Sequence, residues 1–176
     1  MPGCIDTQTH FREPGSTDTE DLNSGSRAAI VGGITSVFEM PNTNPATTNK
    51  AEFNRKIELA NKRMYCNHAF YFGATPDNQS ELADLKDLEG CCGVKLFAGS
   101  STGTLLVHKE EDIEKVFEST SKIVAVHSED EDILNLRKKL IVKGDVNSHP
   151  VWRNEECAIS STRKIVKIAK RLNKRA

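Results

Sequence analysis

The sequence predicts an α/β fold with a parallel sheet, because short β-rich runs alternate with helical patterns along the chain. Runs rich in β-formers, bounded by turns, favour five strands at residues 4–10, 34–40, 66–73, 93–97 and 122–127. Apolar residues at helical spacing favour helices at residues 21–31, 51–64, 80–88, 110–118 and 155–172. Because each strand is followed by a helix, we expect crossover connections between neighbouring parallel strands.

Individual features support these elements in order. In the first strand Asp6, Gln8 and His10 alternate with Ile5, Thr7 and Thr9, which places polar side chains on one face. The glycine pair 32–33 separates the first helix from the second strand, and three consecutive aromatic residues (70–72) mark the third. The last helix has a broad apolar stripe and several cations, which we interpret as a solvated outer face with favourable charges near its C-terminus.

Composition predicts one soluble domain covering residues 1–176. Hydrophobic residues are 37% and charged residues 28% of the chain, and the net charge of -1 argues against nucleic-acid or membrane binding. The first residues lack the pattern of a secretory leader, and no apolar run is long enough for a membrane span. Five cysteines without a C-x-x-C pair favour reduced thiols, so we expect a cytoplasmic protein.

Five motifs occur in one order along nearly the whole chain. They are PGxIDxxxHFREPG (residues 2–15), MPNTNP (40–45), GVKLFxGSSTG (93–103), VHSED (126–130) and HPxxRxEE (149–156). Together they resemble the dihydroorotase family of the amidohydrolase superfamily. The resemblance implies a partial TIM (β/α) barrel of a metal-dependent hydrolase, with about five βα units in these 176 residues.

The resemblance also implies a site. In that family two zinc ions per site are bridged by a carboxylated lysine and a hydroxide. The hydroxide attacks the ring amide of dihydroorotate, which opens to N-carbamoyl-aspartate in a step of pyrimidine biosynthesis. The matching metal positions are His10, Lys95 and His127, and Arg12 and Asn42 would hold the substrate carboxylate.

The sequence departs from this pattern at Gln8, which stands where the family has its first metal histidine. A neutral amide oxygen is a poor substitute for imidazole on zinc. Sixth- and eighth-strand ligands, including the general base, are absent from these residues. We therefore expect vestigial metal positions, no intact catalytic residue, zinc lost or weakly bound, and little or no hydrolytic activity.

Two alternatives remain open. The chain could be a non-catalytic structural partner of aspartate carbamoyltransferase, a role in which metal ligands are dispensable. It could instead be an allantoinase or hydantoinase-type cyclic amidohydrolase that acts on allantoin or a hydantoin, since FREPG (residues 11–15) is shared with allantoinase relatives. Because an incomplete barrel leaves sheet edges unpaired, we also expect self-association into a homo-oligomer or a covering partner.

Overall fold

The computed structural model describes residues 1–99 and 105–176. Five parallel strands form one sheet whose neighbour order follows the chain. The strands are β1 (Cys4–Thr9), β2 (Ile34–Glu39), β3 (Asn67–Gly73), β4 (Cys91–Phe97) and β5 (Val124–His127). This is the strand order of a (β/α) barrel segment, so the predicted α/β class and partial barrel are confirmed.

Helices follow every strand. They are α1 (Leu22–Val31), α2 (Lys50–Ala60), α3 (Gln79–Ala83), α4 (Glu110–Ser119), α5 (Glu131–Arg137), α6 (Ser148–Trp152) and α7 (Glu155–Arg171). Side-chain caps set the starts of α1 and α2: Asp21 accepts from the Ser24 amide, and Asn49 accepts from the Glu52 amide at 2.9 Å. Within the described residues, no helix is both long and apolar enough to cross a bilayer.

Several predicted boundaries were wrong by a few residues, and two short helices were not predicted. β4 begins at Cys91, two residues earlier than expected, and α2 ends at Ala60 rather than at residue 64. The helices α5 and α6 occupy a stretch with little apolar periodicity, where Asp130 caps α5 through the amides of Asp132 and Ile133. Residues 100–103 of the predicted lysine motif lie outside the described residues.

The core lies between the sheet and its helices. Phe53 of α2 stacks on Phe72 of β3, with ring centroids 6.0 Å apart, and meets Phe70 edge-on. Phe117 of α4 is also fully buried, as is Leu82 of α3. This packing fixes the helices against the outer face of the sheet. The carboxyl ends of the strands are not part of this core.

β1 is the least regular strand. Its pairing with β2 shifts register between Cys4 and Ile5 and again between Asp6 and Thr9. The uniform alternation predicted for Asp6, Gln8 and His10 therefore does not follow from the strand geometry. Exposure is consistent with an edge strand, because 60% of the Ile5 surface remains accessible.

Candidate functional site

The candidate residues gather at the carboxyl ends of the strands. His10 directly follows β1, Asn42 lies three residues after the end of β2, and His127 is the last residue of β5. Lys95 lies inside β4, where it pairs with Gly73 of β3 and Ala125 of β5. In barrel enzymes this end of the sheet carries the chemistry, so the fold places the predicted site residues where a site is expected.

His10 is the common neighbour of three other candidates. Burial lowers the pKa of His10, and the positive charges of Arg12 and Lys95 lower it further. Contact with the Asn42 side chain opposes this by favouring the protonated ring. The imidazole is therefore biased towards its neutral form, which can accept a hydrogen bond or bind a cation.

Lys95 is buried, and the described residues provide no carboxylate to balance its charge. Only 2% of its surface is exposed, and burial lowers its pKa to about 8. No carboxylate of the described residues contributes to that pKa, and Lys95 Nζ lies 5.1 Å from the centroid of the Phe97 ring. A substantial neutral fraction near physiological pH makes this amine unusually nucleophilic.

His127 faces a different set of partners. Its ring stacks on Phe97, with centroids 6.2 Å apart, and its Nε2 lies 2.7 Å from Glu129 Oε2. Arg153 binds the same carboxylate in a bidentate pair, with its Nε donating to Glu129 Oε1 at 2.9 Å. The hydrogen bonds from Arg153 lower the pKa of Glu129 to about 2, and His127 acts in the same direction.

Arg12 lies in a loop held in place by its neighbour. Glu13 accepts from the Leu22 amide at 2.9 Å and from Arg63 Nη1 at 2.7 Å, which anchors the loop to α1 and to the residues after α2. Arg12 has a positive φ of 61°, a conformation that costs a non-glycine residue on the order of 1 kcal/mol. Its side chain is exposed and has no ion pair within residues 1–99 and 105–176.

Asn42 belongs to a tight loop after β2. The Pro41 carbonyl accepts from the amides of Thr43 and Thr47, at 2.9 and 3.0 Å, and this fixes the turn. Asn42 Oδ1 is buried and has no well-formed hydrogen bond, although the side chain lies beside His10. A buried amide group without a full partner is expected to gain from a bound ligand or water.

The residues present do not fit a two-zinc cage. Among the described residues, no three His, Cys, Asp or Glu side chains are grouped as metal ligands. Gln8 is exposed at the substituted ligand position, and the Nε2 atom of His127 is already engaged by Glu129. Electrostatic interactions thus link His10 with Arg12, Asn42 and Lys95, whereas His127 Nε2 contacts Glu129.

Two charged pairs near the site were not predicted from the sequence. Glu129 and Arg153 lie within recognised motifs, but a role for their contact was not inferred. The second pair joins Glu39 of β2 to Lys56 of α2, and both side chains are almost fully buried. The sequence indicates this pair only through the position of Lys56, which shares a helix face with the buried residues Phe53 and Ala60. Apolar residues are expected on that face.

Comparison with known proteins gives a consistent result. The profile of the Amidohydrolase family matches residues 1–176. A dihydroorotase of Methanosarcina mazei is 36% identical over 181 aligned residues, which cover 100% of this chain and 39% of that protein. An allantoinase of Saccharomyces cerevisiae is 40% identical over 100 residues, covering 56% of this chain and 21% of that protein. Two dihydroorotases match the whole of this chain, and the chain spans about two fifths of their length.

Solved structures show the same fold at low identity. An L-hydantoinase from Arthrobacter aurescens superposes with a TM-score of 0.88 at 24% identity, over 99% of this chain and 40% of that one. A D-hydantoinase gives a TM-score of 0.82 at 21% identity, with coverage of 98% and 40%. The full-length profile match and the dihydroorotase identities assign the sequence more closely: this chain belongs to the amidohydrolase family and is dihydroorotase-like.

Proposed function

We propose that this chain forms the carboxylate-recognising part of a dihydroorotase-like site and binds dihydroorotate or N-carbamoyl-aspartate through Arg12 and Asn42. We also propose that the 176 residues do not hydrolyse the cyclic amide by themselves. The observation that supports the proposal is that Arg12, Asn42 and Lys95 all interact electrostatically with His10, while no carboxylate of the described residues acts on Lys95.

The charge of this cluster favours an anion. The ammonium group of Lys95 is withdrawn from water, and the Arg12 guanidinium projects from a loop without an ion partner in the described part of the chain. A guanidinium can donate two parallel hydrogen bonds to one carboxylate, and the Asn42 amide can add a further contact. Both dihydroorotate and its ring-opened product carry the carboxylate that such a pair would hold.

Hydrolysis requires more than binding. In the pattern that the family resemblance implies, a metal-activated hydroxide attacks the ring amide. Here Gln8 replaces one ligand, and His127 is bound to Glu129. These two features support the proposal that zinc binds weakly or not at all to this chain, and that His10, Lys95 and His127 are vestigial metal positions.

Binding can be tested by calorimetry of the purified chain with dihydroorotate, together with metal analysis and a turnover assay. We expect measurable binding, substoichiometric zinc and no ring opening. Arg12→Met should weaken dihydroorotate binding by about tenfold or more, because it removes one charge-assisted hydrogen-bonding contact. Arg27→Met is the matched control, because Arg27 lies over the Tyr65 ring and not beside His10. Two tightly held zinc ions with turnover would contradict the proposal.

The allantoinase alternative is tested in the same experiment. Allantoin and simple hydantoins present a cyclic amide but no carboxylate for Arg12. If allantoin bound more tightly than dihydroorotate, and if Arg12→Met left that binding unchanged, the substrate class would have to be reassigned. The matched region shared with allantoinases makes this a necessary comparison.

A second candidate function is structural. The chain matches part of the multifunctional protein CAD of Squalus acanthias at 40% identity over 105 residues, where the matched part is 5% of a much longer chain. This match supports association with a partner such as aspartate carbamoyltransferase. Self-association through the edge strands β1 and β5 is a separate possibility that follows from the open strand order. Light scattering of the chain, alone and with the carbamoyltransferase, separates a monomer, a homo-oligomer and a mixed complex.

A further inference from the structure

A buried ion pair lies directly behind the candidate site. Lys56 Nζ of α2 contacts Glu39 Oε2 at the end of β2, and the two side chains are 0% and 1% exposed. Burial raises the pKa of Glu39 to about 7 and lowers that of Lys56. Transferring two charges from water into the core costs free energy that their attraction does not always offset. We therefore expect this pair to have a role other than stabilising the fold.

Each member of the pair also holds backbone of a site loop. The backbone N–H of Phe11, the residue between His10 and Arg12, faces the Glu39 carboxylate and lowers its pKa. Lys56 Nζ donates to the Met40 carbonyl at 2.8 Å, two residues before Asn42. The pair therefore contacts both loops from which the proposed carboxylate ligands project.

These contacts are strengthened by their surroundings. The Met40 amide donates to the Thr9 carbonyl at 3.0 Å, so the two loops are also joined to each other. The Phe11 ring is buried against Gly25 of α1, where even an added Cβ would lie 2.4 Å from Phe11 Cδ1. With Phe11 fixed on one side and Met40 on the other, little freedom remains for the residues next to them.

We propose that Glu39 and Lys56 are positioning residues that fix the Phe11 and Met40 backbones, and through them Arg12 and Asn42. The functional part of this inference rests on the proposed carboxylate binding, whereas the positioning of the loops does not. Neither residue touches the ligand, so neither is a catalytic residue. A helix of the outer layer thereby sets the geometry of the strand ends.

The test uses two double variants of the full 176-residue chain. Glu39→Leu/Lys56→Met removes both charges and every polar contact, and it leaves no unpaired charge that would unfold the core. Glu39→Gln/Lys56→Met removes the same charges but keeps an amide oxygen that can accept from the Phe11 amide. Lys50→Met/Asp84→Asn is the control, because it removes a surface pair of 2.9 Å whose side chains are 46% and 65% exposed.

Amide hydrogen exchange, followed residue by residue by NMR, provides a readout that does not depend on any ligand. We expect the Phe11 amide to exchange about tenfold faster in the leucine variant, the loss of roughly one buried hydrogen bond. The glutamine variant should restore most of that protection, and the surface control should match the unmodified chain. Dihydroorotate affinity should fall in the same order, with at least a tenfold loss in the leucine variant.

The outcomes separate the two proposals. If Phe11 protection follows the expected order but the unmodified chain binds no dihydroorotate, the positioning of the loops stands and the proposed ligand is wrong. Equal Phe11 protection in the two double variants would overturn the inference. So would a Phe11 amide that already exchanges as fast as exposed backbone in the unmodified chain, a measurement that requires no variant to fold.

Discussion

Replacing Lys95 by methionine should stabilise the protein at neutral pH. Methionine has a similar length and no charge, so it fills the same space on β4 without a buried ammonium group. The fall in the Lys95 pKa from 10.5 to about 8 corresponds to an upper figure of about 3.4 kcal/mol, at about 1.36 kcal/mol for each tenfold change in proton affinity. Relaxation and water penetration reduce such values, so we expect a gain of about 1–3 kcal/mol.

The pH dependence provides the sharper check. Below pH 8 Lys95 is protonated in both folded and unfolded chains, and the folded state bears the full cost of its burial. Between pH 8 and 10.5 the folded chain has released the proton while the unfolded chain still holds it, so the cost fades as pH rises. The stability advantage of Lys95→Met should therefore be largest near pH 7 and small near pH 10.5.

Urea denaturation at the two pH values measures this difference directly. With a slope of about 2 kcal/mol per molar, a gain of 2 kcal/mol moves the midpoint by about 1 M at pH 7. Buffers should be free of carbon dioxide, because a neutral amine reacts with it. Lys56→Met is the matched control and should destabilise the chain, since it leaves Glu39 buried without its partner. A Lys95→Met protein less stable at pH 7, or stabilised equally at both pH values, would refute the reasoning.

Three further predictions concern other parts of the site. Arg153→Met should lower stability at pH 7 by about 1–2 kcal/mol; because the pKa of Glu129 lies near 2, this contribution fades as pH falls from 4.5 towards 2. Urea denaturation at pH 7 and 3 checks it, and an equal loss at both values would contradict it. Gln8→His should tighten zinc binding by about tenfold or more, because imidazole replaces an amide. Zinc titration with a competing chelator measures this affinity. An unchanged affinity would show that position 8 does not face the site. Gly25→Ala should cost about 1–3 kcal/mol, since the new methyl group meets the buried Phe11 ring at 2.4 Å; thermal unfolding measures it, and a neutral result would mean that the ring moves freely.

The sequence by itself determined the class of fold and the family. Periodicity reports how each segment alternates between apolar and polar positions, and this was sufficient to predict five strands and the five helices α1 to α4 and α7. The order of the motifs then indicated a dihydroorotase-like barrel, which the profile match and the superpositions support. The two short helices α5 and α6 were missed because they bury few apolar side chains, so they leave almost no periodic signal.

Only the tertiary structure decided which charged groups meet. Glu39 and Lys56 are 17 positions apart, and Glu129 and Arg153 are 24 apart, so neither pairing can be read from local spacing. The absence of a carboxylate beside Lys95 in residues 1–99 and 105–176 was equally hidden, because a lysine in a strand pattern does not indicate which residues face it. Burial and electrostatic partners depend on how distant elements pack against each other. Proton affinities and ion pairs follow from that packing, and a pattern of residue types along one segment does not contain it.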